Sequence, residues 1–347
     1  MIATRGYAAL KAGSPLEPFQ FERREPGPHD ILIDILYCGI CHSDIHQVRD
    51  EWGGAIFPMV PGHEIVGRVS RTGAKVKRFK KGDAAGVGCF VDSCRKCLYC
   101  KKGYEQYCTV HTAFTYNSTE MDLQTPTHGG YSACIVVDEN YALKIAPHLP
   151  LERVAPLLCA GITTYSPLRH WKVGKGDRVG VLGLGGLGHM AVKLAASMGA
   201  DVTVFSTSKS KEPDARQLGA QNFVLTVGGE TFLNKLPKFD FIIDTIAAVH
   251  NINPYLESLR PEGTMVLVGA PPKAIEVEGF SLIMGRKTLA GSIIGGIPET
   301  QEMLNYCAKM KVFSDVEVIP ASQINRAYDR TLAGDVRYRF VIDLKTI

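Results

Sequence analysis

The sequence lacks a strong imbalance of charge: 39 Lys and Arg stand against 35 Asp and Glu over 347 residues, a formal net charge of +4. A nucleic-acid binder concentrates basic residues in a stripe, so nucleic acid is set aside as a partner. Met1 to Leu10 carries Arg5 and has no apolar core of the length a secretory signal needs. Export is unsupported, and a reducing cytoplasm is the expected compartment. Internal repeats and low-complexity tracts are absent. The run from Val179 to Ala200 is apolar enough to suggest a membrane span, but it opens with Gly183, Gly185, Gly186 and Gly188 and holds His189 and Lys193. A strand, a glycine turn and a buried helix account for it better, so no membrane partner is expected.

A chain of 347 residues exceeds what one hydrophobic core usually serves, and two domains are expected. The first half reads as short β-branched strands between Gly and Pro turns: Ile31 to Cys38, Ile65 to Arg71 and Ser132 to Val137. From about Lys175 the rhythm becomes strand, helix, strand, with strands predicted at Arg178 to Leu182, Asp201 to Ser206, Phe223 to Thr226, Asp240 to Asp244 and Thr264 to Val268. This alternation predicts a parallel sheet with crossover helices. After Gly296, helices are predicted over Pro298 to Met310 and Ser322 to Ala333, and a last strand over Arg337 to Asp343.

Cysteine is plentiful, with ten residues unevenly spaced. Cys94, Cys97, Cys100 and Cys108 follow C-x2-C-x2-C-x7-C. Two intervening residues let the chain curl so that successive sulfurs face one centre, and four thiolates suit a closed, structural zinc site. An iron–sulfur cluster or two disulfides are the competing readings. Clustered thiols in a reducing compartment are more often metal ligands or catalytic groups than disulfides. A second set is open. Cys41 and His63-Glu64 lie in two short turns, and Cys159 comes just before the domain change. Two sulfurs and one imidazole leave the vacant fourth position that a catalytic zinc keeps for water or substrate. A metalloprotease helix would need a second His at position 67, which is Gly.

Gly183-Leu184-Gly185-Gly186-Leu187-Gly188 is G-x-G-x-x-G between a predicted strand and a predicted helix, the arrangement that cradles a dinucleotide pyrophosphate. NAD sites usually carry Asp or Glu at the end of the second strand. Here that place holds Ser206, followed by Thr207, Ser208 and Lys211. Hydroxyls and lysines suit a 2′-phosphate, which a carboxylate would repel, and NADP(H) is the expected cofactor.

Gly62-His63-Glu64, Gly67, Gly73 and Val76 stand in the G-H-E-x2-G-x5-G-x2-V spacing of the zinc-dependent medium-chain alcohol dehydrogenases, which the sequence resembles over nearly its whole length. Cys41-His42-Ser43-Asp44, Pro58 to Glu64 and Asp335 to Phe340 resemble the cinnamyl alcohol dehydrogenase branch, which includes bacterial NADP-dependent aldehyde reductases. The resemblance implies an α/β chain with a GroES-like β-barrel catalytic domain, residues 1–159 and 297–347, and a Rossmann domain, residues 160–296. It implies two Zn2+ per chain, the catalytic one on Cys41, His63 and Cys159 with Glu64 as an occasional ligand and Asp44 behind the imidazole. Ser43 and His46 match the family's proton relay. Thr163, Val268, Gly269, Ala270, Gly291 and Ser292 match positions along the nicotinamide end of the cofactor, and Trp52, Phe114, Met284 and Ile294 match the substrate pocket. The implied substrates are small aldehydes and alcohols, and the implied assembly is a homodimer joined near Gly291 to Gly296. Alternatives are an NAD-dependent polyol or formaldehyde dehydrogenase, and an NADPH-binding zinc protein without turnover. Cys38, Cys89, Cys134 and Cys307 receive no role.

Overall fold

The computed structural model describes residues 1–226, 236–271 and 273–347, and divides into two compact units: Met1–Ile162 with Gly295–Ile347, and Thr163–Ile294.

In the first unit the strand Asp30–Gly39 is central. Its apolar run is buried along most of its length, and it pairs with three neighbours, Ile65–Thr72, Cys134–Asp138 and Arg339–Asp343, all antiparallel. Ile65–Thr72 continues to Ala84–Val87 and then Leu143–Lys144, while Arg339–Asp343 is flanked by the parallel strand Val316–Pro320. The last strand is two residues shorter than predicted, because pairing with Val316–Pro320 begins only at Arg339. Strands from before and after the second unit therefore build one sheet. Its middle strand leads directly into the turn that carries Cys41, and Ile65–Thr72 starts directly after Glu64.

The second unit holds a parallel sheet whose described strands run in the order Asn222–Leu225, Asp201–Ser206, Arg178–Leu182, Phe239–Asp244, Leu259–Leu267, Thr288–Gly291. This is the doubly wound order 3-2-1-4-5-6, whose ligand crevice opens at the carboxyl ends beside the first strand. Thr226 lies outside the ladder that ends at Leu225, although its N–H still reaches the Ser206 carbonyl at 2.9 Å. The strand predicted from Thr264 starts earlier, at Leu259, because Leu259 already pairs with Phe239. On the sheet, Leu182, Phe205, Phe239, Ile242, Tyr255, Leu256 and Met265 pack into one cluster. The Phe205 ring meets Phe239 and Tyr255 edge-on at 5.6 and 5.4 Å, and burying such a ring stabilises the fold by roughly 1.5–3 kcal/mol. The strand and helix read in Val179 to Ala200 are present as Arg178–Leu182 and Gly188–Ser197. Among the described residues no helix is long and apolar enough to cross a membrane.

Candidate metal centres and cofactor turn

The short helix His42–Val48 begins at Cys41, whose extended backbone makes it the cap. Asp44, at the third helical position, turns back to accept from the Cys41 N–H at 2.8 Å, so the bond that starts the helix also fixes the thiol. Ser43 and His46 are three residues apart and share one face of this helix. The Ser43 hydroxyl lies 3.4 Å from Cys41 Sγ, and the His46 ring lies 5.0 Å from that of Trp52.

Cys41, His63, Glu64 and Cys159 are all buried, and each offers a ligand atom within 4.8 Å of the others. The Cys41 and Cys159 sulfurs are 3.8 Å apart. His63 Nδ1 lies 3.2 Å from Asp44 Oδ1, which leaves Nε2 for a metal. Burial opposes protonation of His63, but the Asp44 carboxylate pushes it well above the ordinary imidazole range. The Cys41 thiol is held well below its ordinary value, first by the Cys159 thiol that donates to it, then by Arg339 and His63. A thiolate stabilised in this way is the form that binds metal. Glu64 and Arg339 form a buried ion pair, and Glu64 Oε2 has no hydrogen-bond partner among the described residues. Burial pushes the Glu64 carboxyl up, and the Arg339 charge opposes it. Arg339 engages only Oε1, so the cluster holds two sulfurs, one imidazole and a carboxylate able to serve as a fourth donor.

The second cluster is the Cys94, Cys97, Cys100 and Cys108 lobe, whose sulfurs also lie within 4.8 Å of one another. The Cys97 N–H donates to Cys94 Sγ at 3.3 Å, and the N–H groups of Cys94 and Cys100 donate to Cys108 and Cys97 at 3.5 Å. Main-chain donation, first from Cys100, brings Cys97 down to about 5. Arg95 is held by Asp92 and Asp138 at 2.8 Å each. Four converging thiols served by N–H donors fit a closed zinc site.

In the second unit, the G-x-G-x-x-G turn follows Leu182 at the carboxyl end of the first sheet strand. A Cβ on Gly188 would stand 2.1 Å from the Gly183 carbonyl oxygen, so the turn closes only without one. The Thr245 hydroxyl donates to the Leu182 carbonyl at 2.7 Å and fixes the same turn. Ser206 is buried, and its hydroxyl accepts from the Ser208 N–H at 3.2 Å, so it shapes the loop. Thr207 is exposed, Ser208 bonds Ser210, and Lys211 Nζ reaches the Leu184 carbonyl at 2.9 Å, which brings a cation onto the glycine turn. The N–H groups of Val268 and Gly269 both donate to the Asp244 carbonyl, so they serve the sheet end. The Ser292 N–H likewise goes to Leu267, and Thr163 is buried. Trp52 and Phe114 belong to the first unit and are partly exposed; Met284 and Ile294 belong to the second, where Met284 is exposed and Ile294 buried.

Sequence reasoning passed over four residues near these sites. Glu51 sits in very close contact with His46 Nδ1, a pairing suggested only by five-residue proximity. Arg339 reaches Glu64 across 275 positions, and Tyr131 bonds Asp44 across 87. No local pattern signals either. Cys89 lies against the Leu158 carbonyl at 3.7 Å and bonds Cys159, which places it beside the open cluster.

A glycine turn at the switch point of a doubly wound sheet, in a chain that also carries a buried thiol and imidazole metal cluster, defines a dinucleotide-dependent metallo-oxidoreductase. The chain belongs to the zinc-dependent alcohol dehydrogenase family. Residues 27–147 match the alcohol dehydrogenase GroES-like domain, and residues 186–309 match the zinc-binding dehydrogenase domain. The chain is 54% identical over 347 residues to aldehyde reductase YahK of Escherichia coli, covering 99% of each. It is similar to the cinnamyl alcohol dehydrogenase of Sorghum bicolor, with a TM-score of 0.96 at 42% identity over 99% of this chain and 98% of that one. The cinnamyl alcohol dehydrogenase of Helicobacter pylori, solved with NADP(H), gives a TM-score of 0.93 at 45% identity over 99% of each chain. The GroES-like and Rossmann architecture expected from the sequence is the one the chain has.

Proposed function

We propose that this enzyme reversibly reduces small aldehydes to primary alcohols with hydride from NADPH, using one zinc at Cys41, His63 and Cys159 and a second, structural zinc in the Cys94–Cys108 lobe. The observation that carries the reading is the buried donor set itself: two sulfurs and one imidazole converge with Glu64, whose Oε1 is held by Arg339, and a substrate oxygen would take the fourth position in place of that carboxylate. When bound, zinc supplies Lewis acidity to the substrate carbonyl and NADPH supplies hydride. The chain's own residues do the rest. Asp44 holds the His63 ring so that Nε2 faces the metal. The Ser43 hydroxyl, beside Cys41, passes a proton to the nascent alcohol, and His46, backed by Glu51, exchanges that proton with solvent, a task suited to imidazole near neutral pH. The helix Gly188–Ser197 offers its N-terminus to the pyrophosphate, while Thr207, Ser208 and Lys211 favour the 2′-phosphate.

The enzyme acts as a homodimer in the reducing cytoplasm. Phe280, Ile283 and Met284 are each more than 70% exposed close to the edge strand Thr288–Gly291, and Ile293 is exposed just beyond it. An apolar patch at an open sheet edge is the kind of surface a second copy covers. Ten thiols without disulfide partners fit a reducing compartment.

Initial rates with NADPH and NADH across aliphatic, benzylic and cinnamyl aldehydes, with zinc counted per chain, test the reading. The expected result is two zincs and a clear preference for NADPH that Ser206→Asp with Lys211→Ala reverses. Aldehyde-independent oxidation of NADPH, or one zinc per chain, would overturn it.

A further inference from the structure

Asp44 is completely buried and accepts hydrogen bonds from five groups. Three come from the metal-binding segments themselves: Cys41 N–H at 2.8 Å, Gly62 N–H at 3.2 Å and the His63 ring at 3.2 Å. The other two come from phenols, Tyr116 and Tyr131, and the Tyr131 hydroxyl lies 3.0 Å from Oδ2. Tyr131 in turn accepts from the Tyr328 hydroxyl at 3.5 Å, and Tyr328 sits on the helix Ile324–Leu332 of the returning C-terminal segment. A chain of hydroxyls therefore runs from that helix through Asp44 to the imidazole.

The placement of Tyr131 is set by its backbone. Its N–H donates to the Pro61 carbonyl and its carbonyl accepts from Tyr7, both at 2.9 Å. Gly62 has φ +103°, and a Cβ there would stand 2.6 Å from Tyr131 Cδ1, so the ring occupies the space that glycine leaves open one residue before His63. Phenylalanine would fill the same slot. The hydroxyl adds directionality: a buried phenol needs a partner, and here the partner is the carboxylate that orients the metal-binding ring.

We propose that Tyr131, backed by Tyr328, is a positioning residue for His63, holding the Asp44 carboxylate in the one orientation that lets Oδ1 receive His63 Nδ1. The inference rests on reading Cys41, His63 and Cys159 as a zinc site. Groups behind a metal-binding imidazole fix its tautomer and orientation, and losing one typically costs 10- to 100-fold in metal affinity or activity.

The test is Tyr131→Phe in the full-length, zinc-loaded enzyme, which removes one oxygen and keeps the ring. One of the two zincs should then pass to a chelator roughly 10- to 100-fold faster, while the zinc of the four-cysteine lobe leaves at its wild-type rate and serves as an internal control. Cobalt placed in the open site should show altered visible absorption. Tyr328→Phe should shift both readouts the same way by less, and should add nothing in the Tyr131→Phe background, since it acts through Tyr131. If Tyr131→Phe fails to fold, Tyr328→Phe alone decides by the same readouts. Wild-type zinc release and an unchanged cobalt spectrum, even with a lowered Tm, would reduce the hydroxyls to packing and overturn the proposal. A wild-type chain with a single zinc would instead sink the metal-site reading on which it rests.

Discussion

The Glu64–Arg339 pair is a buried ion pair in the catalytic unit, with Glu64 fully buried and Arg339 4% exposed. A buried ion pair gains little over apolar neighbours, but removing one partner strands a charge and typically costs 3–5 kcal/mol. Arg339→Met should therefore lower unfolding stability by about 3–5 kcal/mol, and adding Glu64→Gln should recover much of the loss. Denaturant unfolding of the two variants checks this, and equal stability of the single and double variants would contradict it. A half-buried histidine gives a pH signature. Burial, helped by the nearby Arg23 charge, brings His128 down to about 4, and its Nδ1 has no hydrogen-bond partner among the described residues. The folded state thus binds fewer protons at His128 than the unfolded state between about pH 6.5 and pH 4. Stability from this residue is fully present above that window and is lost as pH falls through it. His128→Gln should flatten the decline between pH 6.5 and 4 by up to about one proton in slope, read from unfolding midpoints against pH.

At the scale of the element, the glycine turn and the strand ends around it act as one piece. The Thr245 hydroxyl ties the second sheet half to Leu182, Lys211 reaches across to Leu184, and Gly188 touches Gly183 so closely that a methyl group has no room. Gly188→Ala must push the turn open against backbone, where no side chain can yield. NADPH affinity should fall at least about tenfold, equivalent to 1.4 kcal/mol, measured by fluorescence titration, with two zincs still bound. Loss of zinc in this variant would mean that the damage had spread beyond the second unit.

For the whole molecule, the Cys94–Cys108 lobe is more than a decorated loop. Glu105, inside it, accepts from the Ile297 N–H at 3.0 Å, at the start of the helix Ile297–Met310, and Gln301 on that helix bonds both backbone groups of Lys144. The lobe therefore clamps the point where the chain re-enters the first unit. Cys97→Ser should reduce zinc from two to one per chain and lower Tm by several degrees, at roughly 2–4 °C per kcal/mol lost for a unit of this size. Zinc analysis and thermal unfolding check both parts. An unchanged Tm with one zinc would show that the lobe does not hold the returning segment.

Ligand chemistry was legible in the linear chain wherever it is local. The spacing of Cys94, Cys97, Cys100 and Cys108 brings four sulfurs together through short turns, and the glycines from 183 to 188 follow a strand whose period is plain. The alternation after Lys175 likewise marks the parallel sheet, because buried strands and crossover helices each impose their own period. Tertiary structure alone decided which distant groups complete those sites. Arg339 meets Glu64 because the last strand pairs with Asp30–Gly39, and Tyr131 meets Asp44 because Gly62 leaves space for its ring. Such contacts depend on sheet register and on an absent Cβ, neither of which leaves a periodic mark on sequence. The same holds for Ser206, whose residue type pointed to a phosphate while its packed position turned the hydroxyl to the Ser208 backbone.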